Sequence, residues 1–178
     1  TYLLPTSVDP DEGDLRLAET REQMISTVLE LRSGEKFLRV TTSFVNQVSD
    51  HRLRILVPAG SAELEGSVSA GQYGVTVRGR EGEGGWGEFP LPTYPATQFV
   101  AAGDTIVLLD KLTEYEVVSE YGDVDSLALT LVRSVGMMSV NVHPLRDEPA
   151  GSEIPVPGAQ YLGEEVTTKF ALLPSPQG

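Results

Sequence analysis

Phe37-Leu38-Arg39-Val40-Thr41-Thr42-Ser43-Phe44-Val45 decides the fold class of this 178-residue chain. Leu38, Val40, Thr42 and Phe44 recur at period two, with Arg39, Thr41 and Ser43 between them, so one face meets a core and the other meets water or a partner. β-Branched and aromatic residues pack well on a pleated surface, and the run is rich in both. Upstream, Ser33-Gly34-Glu35 is a turn, and Met24 to Arg32 is the strand that it folds back, giving a hairpin. Downstream, a third strand runs through Leu53, Ile55 and Val57 and stops at Pro58-Ala59-Gly60.

The pattern returns past the middle of the chain. Thr105-Ile106-Val107-Leu108-Leu109 reads as a buried strand and Tyr115-Glu116-Val117-Val118 alternates. Leu127-Ala128-Leu129-Thr130-Leu131-Val132-Arg133 is the most apolar run and suits a central strand. Val166 to Leu173 is a final strand after a proline-rich connection ending at Pro155-Val156-Pro157-Gly158. Gly66 to Gly87 holds most of a glycine cluster and reads as a long, mobile loop; a phosphate cradle there lacks a preceding strand and a following helix. No segment combines helix caps with a 3.6-residue period. Seven to nine strands with irregular connections predict an all-β, antiparallel β-sandwich with long loops. Residues 1–19, acidic and turn-forming from Ser7 to Asp14, read as an N-terminal linker or loop, and residues 20–178 as one β-sandwich domain. The threonine start reads as a processed, trimmed or excised chain.

Composition narrows the function classes. A net charge of −13 repels polyphosphate and offers no basic stripe, which argues against nucleic acid and anionic membrane as partners. No 18-residue apolar run is present. The absence of cysteine removes disulfides and thiolate ligands and is compatible with a reducing cytoplasm. The two histidines, His51 and His143, lie far apart in no metal-binding spacing, and no G-x-S-x-G elbow occurs. Adjacent carboxylates such as Glu164 and Glu165 point to opposite faces of a strand and cannot straddle one bond.

Arginine stands where a pure core would not place it. In Asp50-His51-Arg52-Leu53-Arg54, Arg52 and Arg54 share one face while His51, Leu53 and Ile55 share the other. That is either a charge-protected sheet edge or a guanidinium fork aimed at a carboxylate or hydroxyl of a partner. Arg133 ends the most apolar run, where an unpaired charge is costly, so it calls for an acidic partner or a ligand.

At these residues the chain resembles the C-terminal part of bacterial glycoside hydrolase family 38, the α-mannosidase and mannosylglycerate hydrolase group. The resemblance rests on Asn46 with Asp50 to Pro58, Tyr94-Pro95 with Phe99-Val100, Leu112 to Val117, Leu129 to Gly136, and Pro157-Gly158-Ala159-Gln160 ahead of Phe170 to Pro174. These stretches appear in the family's order and span most of residues 20 to 174. The resemblance implies a supersandwich related to galactose mutarotase, packed behind an upstream catalytic domain. That domain binds a divalent metal, usually zinc, and uses an aspartate nucleophile in retaining hydrolysis of α-mannosides. On this reading the chain carries no catalytic residue and no metal or other cofactor of its own. Its partners are the upstream domain and a mannose-containing carbohydrate. Arg133, His51, Arg52 and Arg54 are the substrate-cleft or interdomain candidates. Where the family often continues past Arg133-Ser134-Val135-Gly136 with leucine, serine and a second arginine, this chain has Met138-Ser139-Val140. Two other readings are a free carbohydrate-binding module, which the low aromatic content of 7% disfavours, and a mutarotase-like enzyme, which needs a histidine acid and a carboxylate base in one pocket.

Overall fold

In the computed structural model the period-two run is a strand, β4 (Leu38–Val45), with Val40, Thr42 and Phe44 buried and Arg39, Thr41 and Ser43 on its other face. The structure describes residues 1–9, 15–60, 63–82, 84–87, 89–119, 124–141, 145–146 and 151–174. Among these are fifteen strands and one 3₁₀ turn, Pro157–Gln160, and every strand pair is antiparallel. No helix among them is long and apolar enough to cross a membrane.

The other strands are β1 (Tyr2–Pro5), β2 (Thr20–Gln23), β3 (Ser26–Glu30), β5 (His51–Pro58), β6 (Gly66–Ala70), β7 (Val75–Gly79) and β8 (Thr93–Ala96). They continue with β9 (Phe99–Ala102), β10 (Thr105–Leu109), β11 (Thr113–Val118), β12 (Ser126–Ser134), β13 (Met137–Ser139), β14 (Ile154–Pro155) and β15 (Glu165–Pro174). A seven-stranded sheet runs β3-β4-β15-β10-β9-β6-β7 and a four-stranded sheet runs β5-β12-β11-β8. The core lies between them. Val40, Phe170, Val107 and Val100 come from the first sheet, and Val57, Tyr115, Leu127 and Leu129 from the second. Each such side chain contributes about 1.5–3 kcal/mol by leaving water. Tyr115 is fully buried, and its hydroxyl is satisfied 2.9 Å from Ser67 Oγ across the sandwich.

Two readings of the sequence change. Gly66 to Gly87 is not one loop: residues 66–79 form the β6–β7 hairpin around Gly71–Gly74. Serine, valine and threonine alternate through it, and glycine at 66 is required by close approach, since a Cβ there would lie 2.1 Å from the Arg78 carbonyl oxygen. The hairpin of β3 and β4 forms with the register Thr27↔Thr42, and upstream of it Thr20–Gln23 pairs with β1, which lies inside the segment read as linker. Gln23 anchors that junction by donating from Nε2 to the Val45 carbonyl at 2.9 Å and accepting from Gln47 N at Oε1 at 3.0 Å.

One irregularity positions the arginines. β12 pairs with β5 in a register that shifts between Thr130 and Val132. Leu127 and Leu129 point inward, and strict alternation would send Arg133 inward after them. The bulge instead buries both Leu131 and Val132, against Phe44 in a second apolar cluster, and turns Arg133 outward beside Arg52.

Candidate functional site

The outer face of the four-stranded sheet gathers Arg52 and Arg54 from β5, Thr130 and Arg133 from β12, and Glu114 and Glu116 from β11. Register explains the gathering, since Arg52 pairs with Arg133, and Arg54 with Thr130. Arg54 Nη1 meets Glu116 Oε2 at 2.8 Å, Arg52 reaches the same oxygen at 3.4 Å, and its other nitrogen reaches Glu114 Oε1 at 3.2 Å. Thr130 Oγ1 donates to Glu114 Oε1 at 2.9 Å. β5 is an edge strand, so these charges also keep it from pairing with foreign strands.

Arg133 differs from the expectation drawn for it. Its side chain is 68% exposed, and the nearest carboxylate oxygen, Glu114 Oε2, is 3.9 Å away. The bulge spares it the desolvation cost that its place after six mainly apolar residues had suggested. It also lines a cleft of about 420 Å³ with Phe89, Leu91, Met137, Met138 and Arg146. One wall comes from the loop after β7. Arg80 and Leu64 N–H bind the buried Asp125 carboxylate at 2.9 Å and 2.6 Å, and Phe89 N donates to the Leu145 carbonyl at 3.0 Å. The Ser119 hydroxyl, together with Leu64 N–H and Arg80, holds the Asp125 carboxyl below the usual carboxylate range despite its burial.

His51 does not join the arginines. It points to the other face of β5, both ring nitrogens are buried without a hydrogen-bond partner among the described residues, and burial pushes its pKa below the usual histidine value. The arrangement that a mutarotase needs, a histidine converging with a carboxylate, is therefore not built from His51 with Glu114 or Glu116. His143 lies outside the described residues. No group of three His, Asp or Glu side chains among the described residues is placed to hold a metal ion.

Sequence reading missed Glu114 and Glu116 as members of this face. Their spacing around Tyr115 was a signal that they share a side, but nothing local told which strands β11 adjoins. It also missed what unites several motif residues. Asn46 Nδ2 donates to Gln160 O at 2.8 Å, and Ser134 Oγ donates to the same oxygen at 2.7 Å. The Gln160 amide then grips Asp50 from both sides, accepting from its N–H at 3.0 Å and donating to Oδ1 at 2.9 Å. Gly136 leaves the room for it, because a Cβ there would lie 2.5 Å from Gln160 Nε2. Asn46 and Ser134 are fully buried. This node ties the 3₁₀ turn and the end of β12 to the β4–β5 connection, which is a structural role.

No family model matches the sequence, and no curated protein matches it. Among solved structures, the fold is similar to that of an α-mannosidase from Enterococcus faecalis V583, with a TM-score of 0.75 and 23% sequence identity. The likeness covers 97% of this chain and 19% of that one, so the chain spans about a fifth of the protein it resembles.

Proposed function

We propose that this chain is a non-catalytic, C-terminal β-sandwich domain of a larger retaining α-mannosidase of glycoside hydrolase family 38. It packs on an upstream catalytic domain, helps to shape the cleft for a mannose-containing carbohydrate, and works in the cytoplasm. The observation that supports this reading is the alignment of nearly the whole chain with a minor part of an α-mannosidase. The charged outer face agrees with it, because guanidinium groups orient carboxylates and sugar hydroxyls through rigid paired donors. A divalent metal, usually zinc, belongs to the catalytic domain on this reading.

Hydrolysis of an aryl α-mannoside is the test, run on the 178-residue chain and on the longer polypeptide that contains it. The short chain should give no metal-dependent turnover. In the longer polypeptide Arg133→Ala should lower kcat/KM about tenfold or more, or about 1.4 kcal/mol, with the melting temperature unchanged because the side chain is exposed. Robust turnover by the short chain alone overturns the reading. Unchanged kinetics in the variant remove Arg133 from the cleft.

A further inference from the structure

The cleft beside Arg133 has apolar walls and a cationic rim, and its walls are open. Phe89 is 56% exposed, Leu91 54% and Met138 74%, so these side chains leave water only when something sits between them. Small molecules are held by clefts that bury most of their surface, whereas walls this open suit a projection from a larger body. Methionine, aromatic residues and arginine are the types enriched where proteins meet, and the unbranched methionine side chain adapts to what it covers. No carboxylate or side-chain amide, the usual partners of sugar hydroxyls, is among the described lining residues.

Charge selects the occupant further. Arg52 and Arg54 have carboxylate oxygens at 3.2 Å and 2.8 Å, while Arg133 has its nearest at 3.9 Å on Glu114, already engaged by Arg52 and Thr130. Among the described residues, three arginines thus share two glutamates, and the surplus positive charge stands at the cleft in a chain whose net charge is −13. A carboxylate brought by the occupant completes the set.

We propose that this cleft seats a polypeptide segment of a partner, an apolar side chain flanked by acidic residues. The apolar side chain packs on Phe89, Met137 and Met138, and Arg133 takes a carboxylate. The inference stands on the cleft itself and does not rest on the glycosidase reading.

The chain has three methionines, and Met24, between β2 and β3, lies outside the cleft and serves as the internal control. Methyl-labelled methionine NMR of the 178-residue chain would be followed during titration with the capped peptide Gly-Asp-Phe-Glu-Gly. Its Asn/Gln isostere and methyl α-mannoside are the comparisons. The Met137 and Met138 methyl signals should move saturably with the acidic peptide while Met24 stays fixed, and the isostere should bind at least about fivefold more weakly, a difference of about 1 kcal/mol. Arg133→Ala should erase that difference, and Arg133→Glu should transfer the preference to a lysine-flanked peptide. Both variants are checked for an unchanged Met24 signal and melting temperature. No saturable shift, equal binding of the isostere, or a response to the mannoside alone overturns the proposal. None of these readouts involves glycoside hydrolysis, so either reading can fail without the other.

Discussion

Two regions on the outside of the sandwich handle exposure to water in opposite ways. Across the seven-stranded sheet, Leu173, Ile106, Ala101, Val68 and Val77 form an apolar row through five neighbouring strands by register alone. Val77, on the edge strand β7, is 79% exposed. Across the four-stranded sheet the corresponding layer is three arginines and two glutamates. The charged face carries directional bonds and a fixed geometry, and so has the means to position another group. The apolar row offers area without direction. An apolar row of this kind marks surface suited to cover by another body, and lone exposed apolar residues need no such explanation.

The largest test of this contrast is the bulge that separates inside from outside on β12. Inserting one alanine between Val132 and Arg133 shifts the rest of the strand by one place and sends Arg133 to the inward side. Urea unfolding should show a loss of about 3 kcal/mol or more, through buried unpaired charge, or no cooperative transition at all. A fully stable insertion would mean that the order of residues after the bulge is not what sorts the two faces.

Next in size is Glu116→Ala, which strips the shared partner from Arg52 and Arg54. These pairs are partly exposed, so the expected cost is about 1 kcal/mol, shrinking as salt is raised toward 1 M. A cost that grows with salt would contradict an electrostatic origin. On the other face, Ile106→Thr should change stability by no more than about 0.5–1 kcal/mol and reduce the fluorescence of a bound apolar dye. Retained dye binding would place the accessible apolar surface elsewhere.

The smallest effect concerns His51, on the inward side of the same strand that carries Arg52 outward. Burial, with Arg16 adding to it, keeps the folded pKa below the unfolded value, against Asp50 and the Ser49 and Val48 carbonyls. The unfolded chain therefore takes up the proton first as pH falls. Stability is complete above the unfolded value of about 6.5 and declines below it until the folded value is passed. Melting temperatures between pH 7 and pH 5 should fall in the natural protein and fall less in His51→Phe. Parallel curves would show that His51 titrates alike in both states.

Much of the strand content was legible because burial on one face writes itself as period two. Leu38 to Phe44, Leu53 to Val57 and Tyr115 to Val117 show it directly. β1 escaped because a four-residue strand with two leucines and a proline has too little pattern to stand out from a linker. The β6–β7 hairpin escaped because glycine suggests a loop wherever its neighbours are small, and only the close approach at Gly66 explains its presence in a strand. On the site, the face shared by Arg52 and Arg54 was readable from their spacing. The side taken by Arg133 was not, because one extra residue at Leu131 reverses every later direction.

By itself, then, the amino-acid sequence determined an all-β chain of antiparallel hairpins, the inward and outward sides of its regular strands, and an excess of negative charge. These follow from local sterics and from the period of the pleat, which act within a few residues. Tertiary structure alone decided which strands are neighbours, and so that Glu114 and Glu116 meet the arginines. It also decided that Asn46, Asp50, Ser134 and Gln160 form one node, and that Arg133 faces solvent beside a cleft. Contacts between residues distant in the chain depend on register between strands, and register is set by the packing of the whole sandwich.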